Sequence, residues 1–367
     1  MTVSRPAAVV ILAAGAGTRM KSQVPKVLHP ICGASMLDHA VAAARELDPA
    51  EIIAVVGHRR RAVMDHLAKH APEARVVIQH RQGGTGHAVR MVIEAVGLGQ
   101  GTVVVTYGDT PLLRGQTLAA LVREHAAEQA AATALTAILE DPTGYGRVLR
   151  DDRGAFAEII EEADASAEQK AITEINSGVY AFEAALLADS VKRLPTDNAK
   201  GEEYLTDVIA ILRAEGHHVA SVLLADSDEV RGVNDRVQLA QARRLLNTRI
   251  LDRWMRDGVT VVDPLTTYID VGVVLAEDVE IGPGTQLEGR CVIEAGAHVG
   301  PGCLLRDTKV GQGATVTHAV CVSAEIGPGM TAAPFTYLPP GSKLDGQEPG
   351  QPENGAERPG GKGAQQA

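Results

Sequence analysis

The sequence predicts an α/β protein in which a domain built on a parallel β-sheet is followed by a short parallel β-helix. Three observations lead to this fold class. The 367 residues exceed one typical core, and apolar runs alternate with amphipathic stretches over the first two thirds of the chain. After residue 263 the pattern changes, and an aliphatic residue recurs at every sixth position.

The sheet domain is predicted from buried strands that alternate with helices. The first strand, AVVILAA at residues 7–13, contains no polar residue, which is typical of a parallel strand covered on both faces. Further strands are predicted at 51–56, 75–79, 102–107, 133–139, 146–149 and 178–182, and helices at 35–47, 59–69, 86–95, 201–215 and 235–257. A parallel sheet of this kind binds its ligand beyond the carboxyl ends of the strands.

The β-helix is predicted from a six-residue repeat. The on-phase residues are Ile269, Leu275, Ile281, Leu287, Ile293, Val299 and Leu305. The register then slips to Val310 and Val316, and slips again to Val320 and Ile326. Each repeat is expected to form one short side of a triangular coil, with its aliphatic side chain inside.

These patterns predict four segments. The sheet domain spans residues 1–234, a linker helix spans 235–262, and the β-helix spans 263–345. The last segment, 346–367, has no large apolar residue and is rich in Gly, Pro, Gln and Glu, so we predict that it is disordered.

Composition excludes several classes of function. A net charge of −11 without a basic run, and only 3% aromatic residues, argue against binding to nucleic acid or to anionic membranes. The longest apolar stretches fall short of the ~18 residues that a membrane span needs, and the first one runs into glycines rather than a cleavage site. Four cysteines without a C-x-x-C pair indicate buried thiols in a reducing compartment. We therefore expect a soluble, cytoplasmic protein.

The first strand ends in a glycine-rich loop, LAAGAGTRM at residues 12–20. Gly15 and Gly17 allow a sharp turn that exposes backbone N–H groups to a ligand. A dinucleotide fingerprint would need a third glycine where Met20 stands, and a Walker loop would need G-K-[ST], so neither motif fits. Arg19 and Lys26 instead add two cations beside the turn, which predicts a site for a triphosphate.

Polar residues at the ends of two other strands are candidates for base and metal binding. The Gln79 amide can donate and accept, as the imide edge of uracil requires, although a polar residue at a strand end is also common. Asp109, after Tyr107 and Gly108, is either a Mg²⁺ ligand in the crevice or a helix N-cap before Pro111. Both alternatives stay open on these residues alone.

Four further residues have the side chains or backbone that sugar recognition uses. Gly146 lies in the glycine-rich turn TGYGR, Glu161 follows an Ile-Ile pair, Asn176 precedes Ser-Gly, and Asn234 ends Gly-Val-Asn. Carboxylate and amide groups bind hydroxyls readily. Each of these residues could equally be an ordinary turn residue.

Eight motifs occur together and in order: residues 12–20, PKVL at 25–28, GTGHA at 84–88, YGD at 107–109, 141–147, EIN at 174–176, YLTD at 204–207 and GVN at 232–234. With them the chain resembles the bacterial bifunctional N-acetylglucosamine-1-phosphate uridyltransferase/glucosamine-1-phosphate acetyltransferase family, from about Ala7 to Lys343. The resemblance implies a Rossmann-like nucleotidyltransferase domain followed by a left-handed β-helix.

The resemblance also implies roles for individual residues. Those that would contact the substrates are Leu12, Ala13, Ala14, Gly15, Gln79, Gly84 and Thr85 around uridine, Lys26 at the phosphates, Gly146, Glu161 and Asn176 around N-acetylglucosamine, and Tyr107, Gly108, Asp109 and Asn234 nearby. Arg19, Lys26 and Asp109 would be catalytic, and Asp109 with Asn234 would bind Mg²⁺. The implied reaction joins UTP to N-acetylglucosamine-1-phosphate and releases pyrophosphate, with Mg²⁺ as the cofactor and without a covalent intermediate.

The chain departs from the family in the β-helix. Only about three coils are expected, and Pro339 stands where the family has an arginine, so we predict no acetyltransferase activity. Three alternatives stay open: the same chemistry on another sugar phosphate such as glucose-1-phosphate, a β-helix acyltransferase with a degenerate first domain, and a non-catalytic protein that binds sugar nucleotides. The family resemblance further implies a homotrimer formed through the β-helix.

Overall fold

The computed structural model describes residues 5–346, which form two compact units divided between Ile250 and Leu251. Apart from Gly346, the tail predicted to be disordered lies outside the described residues. No helix between residues 5 and 346 combines the length and the apolar character that crossing a membrane requires.

The first unit contains strands and helices in the alternating order that the sequence predicts. The elements are β1 (Ala8–Ala13), β2 (Pro30–Ile31), β3 (Ala34–Ser35), α1 (Met36–Arg45), β4 (Glu51–Val56), α2 (Arg60–His70), β5 (Arg75–Ile78), α3 (Thr85–Val96), β6 (Thr102–Tyr107), α4 (Gly115–Ala127), β7 (Ala132–Ile138), β8 (Gly146–Arg150), β9 (Phe156–Ile160), α5 (Ala167–Lys170), β10 (Glu174–Glu183), α6 (Ala184–Ser190), α7 (Asp207–Ala214), β11 (Val219–Leu223) and α8 (Arg236–Arg256). Helix α8 continues across the division between the units.

A nine-stranded sheet forms the core of this unit, with the strand path β11-β7-β10-β6-β1-β4-β5. Strand β1 lies between β4 and β6 and is parallel to both. Successive β1 residues enter two different cores: Val10 packs in the cluster on one face, while Val9 and Ile11 pack in the other. Burial on both faces explains why the strand has no polar residue, since each such side chain stabilises the fold by about 1.5–3 kcal/mol.

The predicted parallel arrangement holds for β6, β1, β4 and β5, but the sheet as a whole is mixed, because β10 runs antiparallel to both β6 and β7. The strand predicted at 178–182 is only the second half of this ten-residue strand, and a bulge separates Asn176 from Tyr180. Strands β8 and β9 form an antiparallel hairpin, and β8 also pairs antiparallel with the first half of β10. The first half of β10 contains the polar residues Glu174, Asn176 and Ser177, so it lacks the apolar run of a buried strand.

The helix predicted at 201–215 begins only at Asp207. The preceding residues pair instead with the loop before α3: the Gly86 N–H donates to the Glu203 carbonyl (2.8 Å), and the Glu203 N–H donates to the Gly83 carbonyl (2.8 Å). This long-range pairing satisfies backbone groups that a helix would otherwise satisfy. Elements β2, β3, α4, β9, α5, α6 and β11 were not predicted.

The second unit continues from the end of α8 as a short left-handed parallel β-helix. Its fifteen strands form three five-stranded sheets: β12 (Thr260–Val261), β15 (Glu280–Ile281), β18 (His298–Val299), β21 (Thr315–Val316) and β24 (Thr331–Ala332); β13 (Tyr268–Ile269), β16 (Gln286–Glu288), β19 (Leu304–Arg306), β22 (Val320–Val322) and β25 (Tyr337–Leu338); and β14 (Val274–Leu275), β17 (Val292–Ile293), β20 (Lys309–Val310), β23 (Glu325–Ile326) and β26 (Lys343–Leu344). Five strands per sheet make five coils rather than the predicted three. The first strand begins at Thr260, three residues before the predicted start of this segment.

The six-residue repeat supplies the interior of the β-helix as predicted, with one exception. Eighteen residues separate Gln286 from its partner Leu304, but only sixteen separate Leu304 from Val320. In this shortened coil Cys321 points inward with 0% exposure, whereas Val320 is 39% exposed, so the inward assignment of Val320 was wrong. One residue fewer separates Leu305 from Val310, and one fewer separates Val316 from Cys321, so the inward residue after Val316 lies five positions on, at Cys321.

Three of the four cysteines fill this interior, as expected of buried thiols. Cys291, Cys303 and Cys321 are at most 2% exposed and unpaired. Burial raises the pKa of both Cys291 and Cys321 to about 11. These thiols therefore stay protonated and act as small apolar side chains.

Candidate functional site

The glycine-rich loop follows β1 at the carboxyl edge of the sheet. Gly17 has a φ of +59°, and a Cβ added there would lie 2.5 Å from the Lys26 Cβ, so only glycine lets Lys26 pack against the loop. A Cβ added to Gly15 would meet no described atom within 4 Å. The loop is therefore closed by Lys26 at Gly17 and open at Gly15.

Lys26, Asp109 and Asn234 converge at this edge. The Lys26 ammonium forms an ion pair with the Asp109 carboxylate and donates to the Asn234 Oδ1 (3.1 Å). The two charged side chains are only 11% and 19% exposed. The structure thus brings together three residues that the sequence singled out from separate motifs.

Two backbone contacts fix the position of Asp109. The Gly108 N–H donates to the Leu12 carbonyl (3.0 Å), which continues the β1–β6 pairing past the end of β6. The Val233 N–H donates to the Asp109 carbonyl (2.9 Å) and brings Asn234 alongside. Asp109 does not cap a helix, because α4 begins only at Gly115 with Arg114 as its N-cap residue.

Arg19 lies in a short 3₁₀ turn after the glycines and is exposed. Its guanidinium makes no hydrogen bond or ion pair with any residue in the described range 5–346. Within the described residues, Arg19 therefore makes no polar contact with the three converging residues, and its side chain is exposed to solvent.

Gln79 follows β5 and is 5% exposed. Its amide nitrogen donates to the Gly84 carbonyl (2.9 Å) and lies 2.9 Å from the His87 Nδ1. The side-chain NH₂ thus holds the loop before α3 in place. Any contact of Gln79 with a base must use the amide oxygen.

The loop before α3 is fastened to the segment that precedes α7. Gly84 has a φ of +105°, and a Cβ there would lie 2.4 Å from the Glu203 carbonyl oxygen. The Leu205 N–H donates to the Thr85 Oγ1 (3.0 Å). Arg90 of α3 binds Glu203 through two nitrogens (3.0 and 2.6 Å). The pairing of Arg90 with Glu203 was not predicted, because an ion pair spanning 113 residues leaves no local pattern in the sequence.

Tyr107 packs against the bulge in β10. A Cβ added to Gly178, which has a φ of +80°, would lie 2.3 Å from the Tyr107 Cε2. Burial, the Glu161 carboxylate and the Asp109 carboxylate all raise the pKa of Tyr107. Tyr107 therefore stays neutral, and it packs against Gly178 of the bulge while the charges of both Asp109 and Glu161 act on it.

We expect Gly178→Ala to lower the free energy of unfolding of the first unit by about 2–4 kcal/mol, through strain at positive φ and overpacking against Tyr107. Gly154→Ala is a matched control, because Gly154 has a φ of +78° and open space around its Cβ position. We expect the control to cost about 1 kcal/mol. Denaturant unfolding measures both, and equal losses in the two variants would contradict the steric argument.

Three amino-acid residues that were predicted to contact the sugar, Gly146, Glu161 and Asn176, lie near one another. Gly146 pairs with Asn176 across β8 and β10, and the Asn176 Oδ1 accepts from the Gly178 N–H (3.1 Å) inside the bulge. The Glu161 Oε1 accepts from the Thr206 hydroxyl (3.3 Å). Since Gly178 also contacts Tyr107, this group adjoins the end of β6. The roles of these residues in sugar binding remain predictions.

Carboxylates gather around Glu161. Burial raises the pKa of Glu161 above its ordinary value, and burial together with the Glu161 charge raises the pKa of Asp207 to about 6. Asp207 is the first residue of α7 and was not selected from the sequence as a functional residue. A cluster of this kind favours hydroxyl and amide donors over anions.

The Asp207 carboxyl makes the stability of the first unit depend on pH. Its pKa is about 6 in the folded chain and about 3.9 when unfolded, so its contribution is fully present below pH 4 and is lost as the pH rises to 6. We expect Asp207→Asn to match the wild type at pH 4 and to be about 1 kcal/mol more stable at pH 7.5, after solvent screening is allowed for. Denaturant unfolding across pH 4–8 tests this, with Asp152→Asn at an exposed turn as a control for net charge. A difference that does not change with pH would contradict it.

Asp109 and Asn234 offer the donor set that Mg²⁺ prefers, one carboxylate and one amide oxygen. Both oxygens point at a single cation, the Lys26 ammonium. A pair of oxygens that converges on one positive charge fits a divalent ion whose coordination shell is completed by phosphate oxygens and water. The described residues of this site therefore fit Mg²⁺.

Comparison with known proteins identifies relatives along most of the chain. Residues 9–176 match the model of the MobA-like NTP transferase domain family. The "Bifunctional protein GlmU" of Thermobifida fusca is 58% identical over 332 residues, which cover 89% of this chain and 69% of that protein. The proteins of the same name from Streptomyces avermitilis and Streptomyces coelicolor are each 54% identical over 346 residues, 94% of this chain and 72% of theirs.

The α/β sheet with its glycine loop, lysine and carboxylate thus defines a nucleotidyltransferase that carries a β-helix. More specifically, the chain belongs to the GlmU family. The predicted family, fold class and kind of enzyme are confirmed.

Proposed function

We propose that this chain transfers the uridylyl group of UTP to N-acetylglucosamine-1-phosphate and releases pyrophosphate. The observation that carries the proposal is the convergence of Lys26, Asp109 and Asn234 beside the open glycine loop. Membership of the GlmU family supports the same reaction.

In this mechanism the sugar-1-phosphate oxygen attacks the α-phosphorus of UTP in line, and the protein contributes charge and position. The Lys26 ammonium neutralises phosphate oxygens, and Arg19 turns from solvent to bind them through two nitrogens. Mg²⁺ held by Asp109 and Asn234 would neutralise further charge that develops on the phosphates. No side chain needs to act as a nucleophile.

The remaining candidates divide between the two substrates. The backbone after β1, with the loop at Gly84 and Thr85, supplies a rim for uridine, and the Gln79 amide oxygen can accept from the uracil imide. Glu161 and Asn176 supply acceptors for the sugar hydroxyls and the acetamide N–H. The acidic surroundings of Glu161 favour a neutral sugar over an anionic one.

A second candidate is the same reaction with glucose-1-phosphate, because both sugars carry the hydroxyls that Glu161 would bind. Pyrophosphate release from UTP, measured with each sugar-1-phosphate and with or without Mg²⁺, distinguishes the two. We expect faster release with N-acetylglucosamine-1-phosphate, and only with the metal. Equal rates for both sugars would contradict the substrate assignment. Binding of UTP without any release would favour a sugar-nucleotide-binding protein.

We also propose that the 367-residue chain does not transfer acetyl groups to glucosamine-1-phosphate. Pro339 stands where the family resemblance implies an arginine, and proline has neither charge nor an N–H donor. Incubation of the purified chain with acetyl-CoA and glucosamine-1-phosphate should release no free thiol above background. Thiol release that follows the amount of enzyme would contradict this.

A homotrimer through the β-helix is a further part of the proposal. Apolar side chains are exposed along two of its sheets: Tyr268, Val320 and Tyr337 on one, and Val274 and Val292 on the other. Such rows are suited to contact with another copy of the chain. Sedimentation equilibrium should give three times the chain mass, and a concentration-independent monomer would contradict the trimer.

A further inference from the structure

One group of side chains outside the nucleotidyltransferase site has the composition of a metal centre. Asp38, His66 and His70 each present one ligand atom, and the three atoms lie within 4.8 Å of one another. Asp38 is in the first turn of α1, and both histidines are on α2. None of the three takes part in the proposed reaction.

Helix α2 aligns the two histidines. Residues four apart on an α-helix lie on the same face, and the imidazole rings of His66 and His70 stack with their centroids 4.2 Å apart and an angle of 8° between their planes. The H-x-x-x-H spacing is present in the sequence, but two histidines at this spacing without a third ligand nearby do not by themselves indicate a metal site. Only the packing of α1 beside α2 adds the carboxylate.

Both rings face the same oxygen of Asp38. The Asp38 Oδ1 lies 2.8 Å from the His66 Nε2 and 3.9 Å from the His70 Nδ1. Ligands of a tetrahedral ion with bonds of about 2.0–2.1 Å stand about 3.3 Å apart. The two distances bracket that value, so small side-chain rotations would place all three atoms around one ion.

The other oxygen of Asp38 is held in place. The Asp38 Oδ2 accepts from the Ser35 N–H (2.9 Å) and from the Ser35 hydroxyl (2.7 Å), within the capping box of α1. Hydrogen bonds of this kind orient ligands in metal sites, where they commonly affect affinity by about 10–100-fold. The carboxylate is therefore already oriented with its Oδ1 toward the imidazoles.

We propose that Asp38, His66 and His70 bind a divalent transition-metal ion of the Zn²⁺ type, with water in a fourth position. Two imidazoles and one carboxylate suit Zn²⁺, whereas Mg²⁺ prefers oxygen ligands alone. The side chains of Asp38 and His66 are 19% exposed and that of His70 is 52% exposed, so the site is shielded but open to entry. A bound ion would join α1 to α2 and stabilise the first unit.

The test uses the full chain after treatment with EDTA, titrated with ZnCl₂ without Mg²⁺ and followed by calorimetry. We expect one Zn²⁺ equivalent that is lost, or weakened about 100-fold, in His70→Gln. Because His70 is half exposed, this variant should fold normally. His218→Gln is the matched control, since His218 is an exposed histidine with one carboxylate partner, Glu128, at 3.2 Å. Any Zn²⁺ that binds at Asp109 would contribute equally in the wild type, His70→Gln and His218→Gln, so the equivalent bound at Asp38, His66 and His70 is given by the difference between their isotherms.

Two further readouts separate a metal centre from an ordinary Asp–His hydrogen bond. Co²⁺ should give visible d–d absorption without a thiolate charge-transfer band in the wild type, and this absorption should disappear in His70→Gln. Zn²⁺ at 100 times its dissociation constant should raise the unfolding temperature of the wild type by about 5 °C and that of the variant by much less. Identical Zn²⁺ isotherms for the wild type and His70→Gln would overturn the proposal.

Discussion

Asp109→Ala should lower the turnover number for pyrophosphate release about 10²–10³-fold at saturating UTP and sugar phosphate. Asp109 supplies the only carboxylate among the three converging residues, so its loss removes the negatively charged ligand of the proposed Mg²⁺ site. Among residues 5–346, the variant also leaves the Lys26 ammonium with the Asn234 oxygen, at 3.1 Å, as its remaining hydrogen-bond partner. Steady-state kinetics across a range of Mg²⁺ concentrations measures the effect.

Asp109→Asn refines this test, because asparagine keeps the shape and one oxygen ligand. We expect it to need more Mg²⁺ for half-maximal rate than the wild type, while Asp109→Ala stays slow at every concentration. Asp152→Ala, at an exposed turn, controls for the loss of one negative charge. Near-wild-type turnover in Asp109→Ala, with the thermal transition retained, would mean that the metal site has been placed wrongly.

Lys26→Met should have the second large effect, again about 10²–10³-fold on turnover. Methionine keeps an unbranched apolar chain against Gly17 but removes the ammonium that would neutralise the triphosphate. If the charge acts mainly in the transition state, the turnover number falls more than the KM for UTP rises. Initial rates over a UTP series separate the two constants.

Lys192→Met, at an exposed lysine, is the matched control and should keep its activity. Stability provides a second check, because Lys26 and Asp109 are already paired without ligand. Combining Lys26→Met with Asp109→Asn should reveal a coupling free energy of about 1–3 kcal/mol in the unfolding of the first unit. Additive losses of stability would show that the pair is not formed in solution, and unchanged turnover in Lys26→Met would exclude the proposed role.

Strands were predicted well where an apolar run is bounded by polar or glycine residues. The predicted strand 102–107 and the observed β6 coincide, and β4 coincides with its predicted range. Both strands are flanked by other strands and buried on both faces, so their consecutive residues are mostly apolar. The same reasoning failed at β10, whose first half is polar and whose antiparallel pairing depends on a hairpin elsewhere in the chain.

In the candidate site, too, the residues with a local sequence signal were recognised and those defined by distant contacts were not. The loop glycines, Lys26 and Asp109 were recognised because their residue types suit phosphate and metal chemistry. Their partners were harder to identify. Gln79 was selected for its amide, but the structure shows that its nitrogen holds Gly84 and His87. Glu203 had no local signal, since its partner Arg90 is distant in sequence. Asp207 ends the YLTD motif at 204–207, but that motif does not show which carboxylates surround it.

By itself the sequence determined the two-part architecture, the six-residue repeat and the chemical types gathered after β1 and β6, because each depends on neighbours along the chain. Tertiary structure alone decided which of those groups meet: Lys26 reaches Asp109 across 83 residues and Asn234 across 208. It also reversed β10, turned Cys321 inward and brought Asp38 beside two histidines. The physical reason is that periodicity reports the burial of each element, whereas the order in which elements pack depends on contacts that no local pattern records.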